Sequence, residues 1–318
     1  MGRAARSTLL LALALALAAC AEPDATAGAA AGDAGTVASP ASQAAPAALP
    51  PPAPGAAGDP NPLGLAPRRL KLDPGRRVFT FSDAMLAGAQ PGSTLILYSA
   101  TVSGLDGDDL LVEGRTGPAY KVHAGYVIAV PDDPKVKHGD PVLAEWNGVM
   151  KHGVITTLTR DRVGVRFTDM DSKTPEAQLK NPRLVKQGEG LQPGNYAALR
   201  DAETLRHVLL VSPAGEGTAK KWFALGFGGA AMVVDEAALT PIPVKYDPKP
   251  GAAVLAEWVG TLRKATVQAA LDQGLFSVRF ERAGRPVTLG WGMLLRDAEA
   301  PAKGRALNAE PLAPPRPR

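Results

Sequence analysis

The pentapeptide Val-Leu-Ala-Glu-Trp occurs twice in the chain, at 142–146 and again at 254–258. In each copy a glycine follows two residues after the tryptophan (Gly148, Gly260), and a Val-Arg-Phe returns at 165–167 and at 278–280. The Trp-to-Phe spacing is 21 residues in the first copy and 22 in the second. Five identical consecutive residues with a matching return mark an internal duplication. A repeat of this length restricts the chain to small units that bury their apolar faces against one another.

Within the copies the apolar residues recur with a period of two. Val163, Val165 and Phe167 share one face, with Arg162 and Arg166 on the other; Phe276, Val278 and Phe280 alternate with Ser277, Arg279 and Glu281. That alternation predicts half-buried antiparallel strands. Turn residues punctuate them at Asn147-Gly148, Arg160-Asp161 and Asp272-Gln273-Gly274. Gln90-Pro91-Gly92 and Gln192-Pro193-Gly194 each open a segment leading to its own Val-Leu-Ala-Glu-Trp. The expected organisation is all-β, with two repeats of two units each. The first repeat (90–187) holds unit A (90–132) and unit B (138–187). The second (192–297) holds A′ (192–243) and B′ (249–297), and residues 67–89 form a lead-in.

The order of these signals resembles the Tudor/agenet class of SH3-like barrels: Val-Leu-Ala-x-Trp, a glycine turn, a strand, a turn, then Val-x-Val-x-Phe or Ser-Val-Arg-Phe. The resemblance covers B and B′ well and the A units loosely. It implies tandem small barrels of about five strands each. It also places Trp146 and Trp258 at the first position of an aromatic cage, and Phe167 and Phe280 at a later one. The second-strand cage position holds Lys151 or Arg263, and the last holds Met170 or Ala283. The resemblance therefore implies the fold and not the methylated ligand of that class. Two readings stay open for Trp146 and Trp258: a stacking platform in a binding groove, or core packing against Phe167 and Phe280.

The N-terminus points to export. Arg3 and Arg6 precede an unbroken Leu/Ala run from Leu9 to Ala19, too short to span a bilayer as a mature helix and of the length of a signal-peptide apolar region. The run ends in Leu17-Ala18-Ala19-Cys20, which resembles the lipobox of bacterial lipoproteins. That resemblance implies a signal peptide at 1–19, cleavage before Cys20, and lipid on the Cys20 thiol. The expected location is the cell envelope, at the outer membrane because Ala21 is not Asp. Residues 20–66 read as a disordered tether, since Ala, Pro and Gly make up 32 of the 46 residues after Cys20 and no aromatic residue occurs among them. Its root-mean-square reach is about 40 Å. Residues 300–318 read as a disordered, Pro- and Arg-rich tail.

Composition narrows the functional classes. Cys20 is the only cysteine, which excludes an intramolecular disulfide framework and a cysteine-rich zinc site. A net charge of +4 over 318 residues gives no nucleic-acid signature, and no nucleic-acid partner is expected. His123, His138, His152 and His207 lack metal-ligand spacing and are expected at the surface; no metal or cofactor is expected. Gly226-Phe227-Gly228-Gly229 reads as a glycine-rich hairpin and not a dinucleotide loop, because Met232-Val233-Val234 continues as strand. No hydrolase, protease or nucleotide motif is present. The expectation is a lipid-anchored, non-enzymatic binding or scaffolding module for an envelope protein, a peptide or cell-wall glycan. A structural spacer or assembly subunit is the alternative, and a hydrolase with an unmarked carboxylate site a further one.

Overall fold

A computed structural model describes residues 59–169, 176–281 and 284–297. Cys20, most of the tether, the tail and the cage positions Met170 and Ala283 lie outside the described residues. The described chain is all-β and consists of two similar ten-stranded antiparallel sheets, as expected for a duplicated β protein.

Each sheet contains two five-stranded units. Unit A is built from β1 (Arg77–Thr80), β2 (Tyr98–Asp106), β3 (Asp109–Glu113), β4 (Tyr120–His123) and β5 (Ile128–Ala129). Unit B has β6 (Pro141–Trp146), β7 (Val149–Leu158), β8 (Arg162–Phe167), β9 (Glu176–Lys180) and β10 (Leu184–Lys186). In the second sheet, A′ comprises β11 (Tyr196–Asp201), β12 (Thr204–Pro213), β13 (Lys221–Leu225), β14 (Ala231–Asp235) and β15 (Leu239–Pro241). B′ comprises β16 (Ala253–Trp258), β17 (Thr261–Asp272), β18 (Leu275–Phe280), β19 (Val287–Gly290) and β20 (Leu294–Arg296). In all four units the first strand pairs with the second and the last, the second with the third, and the third with the fourth. Each second strand carries a bulge as its pairing passes from the first strand to the third, at Val102/Gly104, Ile155/Thr157, Leu210/Ser212 and Val267/Ala269. A bulge bends its strand and increases the local twist, so one strand can serve two differently oriented partners.

One turn recurs four times and sets the unit boundaries. Backbone bonds close 73–76, 137–140, 192–195 and 249–252, and the third residue of each turn is a glycine with positive φ: Gly75, Gly139, Gly194 and Gly251. Pro74, Pro193 and Pro250 stand before three of them, the Pro-Gly arrangement of a type II turn. Each glycine N–H then donates to the carbonyl of Val102, Ile155, Leu210 or Val267, the residue that opens the bulge. Sixteen residues separate glycine and acceptor in B, A′ and B′, and twenty-seven in A.

This correspondence corrects the sequence-based start of unit A. The unit begins at the turn 73–76, inside the expected lead-in, and not at Gln90. Gln90-Pro91-Gly92 belongs to an insertion between β1 and β2 that also holds the short helix α1 (Asp83–Ala87). The insertion docks on A′: Gly92 N–H donates to the Ala231 carbonyl, Leu95 N–H to Gly229, and Ala231 N–H to Ser93. The tether boundary at 66 also moves. Leu63 and Leu65 are buried in the core of unit A, and the Leu63 N–H donates to the Tyr126 hydroxyl at 3.0 Å.

The units are fused rather than strung out. In the first sheet β2 pairs with β7 at Tyr98 and Val149, and in the second β12 pairs with β17 at Arg206 and Thr261. The joints are equivalent, since Ser99 N–H donates to Gly148 and His207 N–H to Gly260. The A and A′ cores merge where Phe81 and Tyr126 meet Phe223 edge-on at 6.0 and 5.3 Å. Val154 of B packs into the B′ core, and Arg166 of B pairs with Asp272 of B′ at 3.0 Å.

Candidate functional site

Trp146 and Trp258 close the first strands of B and B′, each immediately before a two-residue turn. Both turns are left-handed at both positions: Asn147 and Gly148 have φ of 51° and 86°, Val259 and Gly260 of 49° and 77°. Asn-Gly suits this type I′ geometry, whereas a β-branched valine there is strained. Val259 is also 60% exposed. The glycines serve a second purpose. A Cβ on Gly148 would fall 2.7 Å from the Arg115 side chain, and one on Gly260 would meet Phe227.

Both tryptophans pack on their repeat partners, Trp146 on Phe167 with ring centroids 5.4 Å apart and Trp258 on Phe280 at 4.8 Å. Phe167 and Phe280 are buried, while Trp146 and Trp258 are half-buried and each borders a groove. The two open readings are therefore not exclusive, because one part of each indole is core and another lines a concavity. Beside Trp258 the groove measures about 730 Å³. Its floor is Trp258, Phe280 and Val287; Arg263, Lys264, Glu281 and Arg285 stand around it. Beside Trp146 a smaller groove of about 360 Å³ contains Arg115, Glu145, Lys180 and Arg183. There Arg183 is committed to the fold, pairing with Glu145 at 3.3 Å and donating to the Ala100 carbonyl at 3.2 Å. The B′ cations are less engaged, with Lys264 3.9 Å from Asp297 and Arg263 donating to the Thr261 hydroxyl at 3.2 Å.

The histidines depart from the surface expectation. His138 is exposed, but His123, His152 and His207 are buried. His152 and His207 flank the ring of Tyr196, with centroids 4.2 and 4.3 Å away, where B, A′ and B′ meet. His152 Nδ1 lies 3.0 Å from the Asp169 carboxylate and Nε2 2.8 Å from the Gly194 carbonyl. Both ring nitrogens therefore face oxygen atoms, and the His152 backbone N–H donates to the same Asp169 carboxylate at 2.9 Å. His207 Nε2 lies 2.8 Å from the Gly292 carbonyl. Burial lowers the His207 pKa to about 4, opposed by that hydrogen bond and assisted by the nearby His152. Burial likewise pushes the Tyr196 phenol well up, with Asp169 and Glu257 adding to it. His123 caps a short helical turn, its Nδ1 accepting from the Gly125 N–H at 3.1 Å, and burial lowers its pKa. The inward positions were legible in the pattern, since Met150, His152 and Val154 share one face of β7.

The remaining tryptophans anchor the A′ and B′ cores. Trp222 and Trp291 are buried, and their indole N–H groups donate to Glu236 and Asp247, both at 3.0 Å. The segment 226–230 closes the β13–β14 hairpin, the glycine-rich hairpin expected from sequence. Among the described residues no cluster of His, Cys, Asp and Glu is arranged to hold a metal ion. Neither a protein-family model nor a curated protein matches this chain in sequence.

Proposed function

We propose that the protein is a lipid-anchored cell-envelope binding or scaffolding module, whose four units are SH3-like, Tudor-like barrels. Supporting the barrel reading are the shared strand order, the bulged second strand and the short span of each unit. One observation carries the functional reading: a half-buried Trp recurs at the same hairpin corner of B and B′, bordering an open groove each time. Small concave sites with an apolar floor and a few polar groups at the rim are how proteins hold ligands. Trp146, Phe167, Trp258 and Phe280 are the binding residues in this reading. The module is non-enzymatic, and its partner is an envelope protein, a peptide or cell-wall glycan.

The anchor is Cys20, carrying lipid at the outer membrane, with the Ala/Pro/Gly-rich tether holding the head away from the bilayer. Two or three acyl chains, each CH₂ contributing about 0.8 kcal/mol on burial, make such attachment effectively permanent. A Cys20→Ala variant is expected to lose metabolic labelling by a fatty acid and to leave the membrane fraction. Unchanged labelling would refute the anchor. Crosslinking in intact cells followed by affinity capture tests the recognition role: cell-wall material of several sizes supports it, whereas one stoichiometric protein indicates an assembly subunit.

A further inference from the structure

The Trp258 groove differs from its repeat partner in size and in how far its cations are already engaged. Its floor is aromatic and aliphatic, from Trp258, Phe280 and Val287, and the two rings meet at 62°. Among the described residues three cations surround that floor from two parts of the chain: Arg263 and Lys264 on β17, and Arg285 in the segment leading to β19. All three are exposed, and Glu281 is the single acid among the described residues of the lining. The Trp146 groove has about half the volume; among the described residues it too has three cations, Arg115, Lys180 and Arg183, beside one acid, but Arg183 is held by Glu145 and two unit A oxygens. Lys151 and His152 stand where B′ has Arg263 and Lys264, and His152 is turned inward to Asp169 and Gly194.

We infer that the Trp258 groove is a site for a small, ring-bearing carboxylate, its ring lying on the indole and its carboxylate held by the Arg263 and Arg285 guanidinium groups. The inference rests on the reading of B′ as a binding unit and names the ligand class of that unit. A planar guanidinium matches a carboxylate with two parallel N–H donors, and such charge-assisted bonds are about twice as strong as neutral ones. The ring supplies the apolar area that an exposed cation pair alone would not hold. A volume of about 730 Å³ admits a ligand of that size. A cationic ligand is disfavoured by Arg263, Lys264 and Arg285 against the single Glu281. This departs from the methylated cations of the Tudor class, because Arg263 occupies a position that is aromatic there.

Calorimetric titration of the purified full chain with 2-naphthoate and with its neutral amide, 2-naphthamide, tests this directly. The carboxylate is expected to bind at least tenfold more tightly than the amide, and to weaken several-fold between 50 and 300 mM salt. Arg263→Glu with Arg285→Glu, both at exposed positions, is expected to remove the preference. Trp258→Ala is expected to weaken both compounds tenfold or more. Because Trp258 also packs on Phe280, Lys264→Glu provides a surface variant that leaves the core intact, with a smaller loss expected for the carboxylate alone. Equal binding of acid and amide would overturn the anion assignment while leaving B′ a binding unit. Binding of neither would overturn the ligand class, and binding of an acidic peptide in their place would reassign the groove to protein recognition. The in-cell crosslinking decides the binding-unit reading separately, because it does not depend on which compound is titrated.

Discussion

Val259 is the residue at which this chain departs most plainly from local preference. Its twin in the first repeat is Asn147, which adopts the same left-handed backbone at no comparable steric cost. Val259→Asn is therefore expected to stabilise the protein by about 1 kcal/mol, read as a higher midpoint in chemical denaturation, and Asn147→Val to destabilise it by a similar amount. A neutral result for Val259→Asn would mean that contacts of the exposed valine offset its backbone strain. His207 gives a second residue-scale expectation, this time in pH. Its folded pKa of about 4 lies below the ordinary value of 6.5, so the unfolded chain takes up a proton first as pH falls. Its contribution is complete above about pH 6.5, is lost progressively down to about pH 4, and amounts to on the order of 3 kcal/mol. His207→Gln should flatten the stability curve in that window; an unchanged slope would place the acid sensitivity elsewhere. His152→Ala takes the ring from the half-buried Asp169 carboxylate, which keeps the backbone N–H of residue 152 at 2.9 Å, and is expected to cost about 2 kcal/mol, read as a lower midpoint in chemical denaturation.

Among the elements, the positive-φ glycine that opens each unit is the most informative. Its effect on stability depends on its surroundings. A Cβ on Gly251 meets open space, so Gly251→Ala pays only for the left-handed backbone, about 1 kcal/mol. A Cβ on Gly194 runs into the buried Leu143 side chain of unit B, and Gly194→Ala should cost clearly more. Denaturation of the two variants side by side separates backbone strain from steric exclusion; equal losses would contradict the packing at Leu143. These turns also mark what was legible beforehand. The Val-Leu-Ala-Glu-Trp repeat and the alternation in β8 and β18 were enough to place B and B′. Unit A was misplaced because Gln90-Pro91-Gly92 imitates the opening turn of A′, while its own opening, Asp73-Pro74-Gly75, lies in a stretch read as lead-in. The stronger signal was the sixteen-residue interval from each such glycine to an apolar residue in the following strand, which the insertion in A lengthens to twenty-seven. The grooves were less legible, since a half-buried Trp has the same sequence signature whether its free face meets solvent or core.

At the scale of the molecule, the duplication has produced an integrated head. Each sheet joins two units through one strand pair, and the sheets meet through the Phe81–Tyr126–Phe223 cluster, the Arg166–Asp272 pair and the stack of His152, Tyr196 and His207. Buried Asp140 of unit B adds a further tie, bonded to Lys186 at 2.7 Å and lying 3.8 Å from Lys245 between A′ and B′. Although burial acts to raise the Asp140 pKa, the hydrogen bond from Lys186 and its neighbours hold it below the ordinary value. Such sharing of cores predicts one cooperative unfolding transition for the head. The proposed role makes the Trp258 groove the place where this head meets its ligand. A photocrosslinking residue at position 284, an exposed glycine of the groove lining where a side chain meets open space, tests it in living cells against the same residue at exposed position 268 on β17. The expected result is a discrete crosslinked product from 284, lost on Trp258→Ala and absent from 268. Identical products from both positions, or none from either, would contradict it.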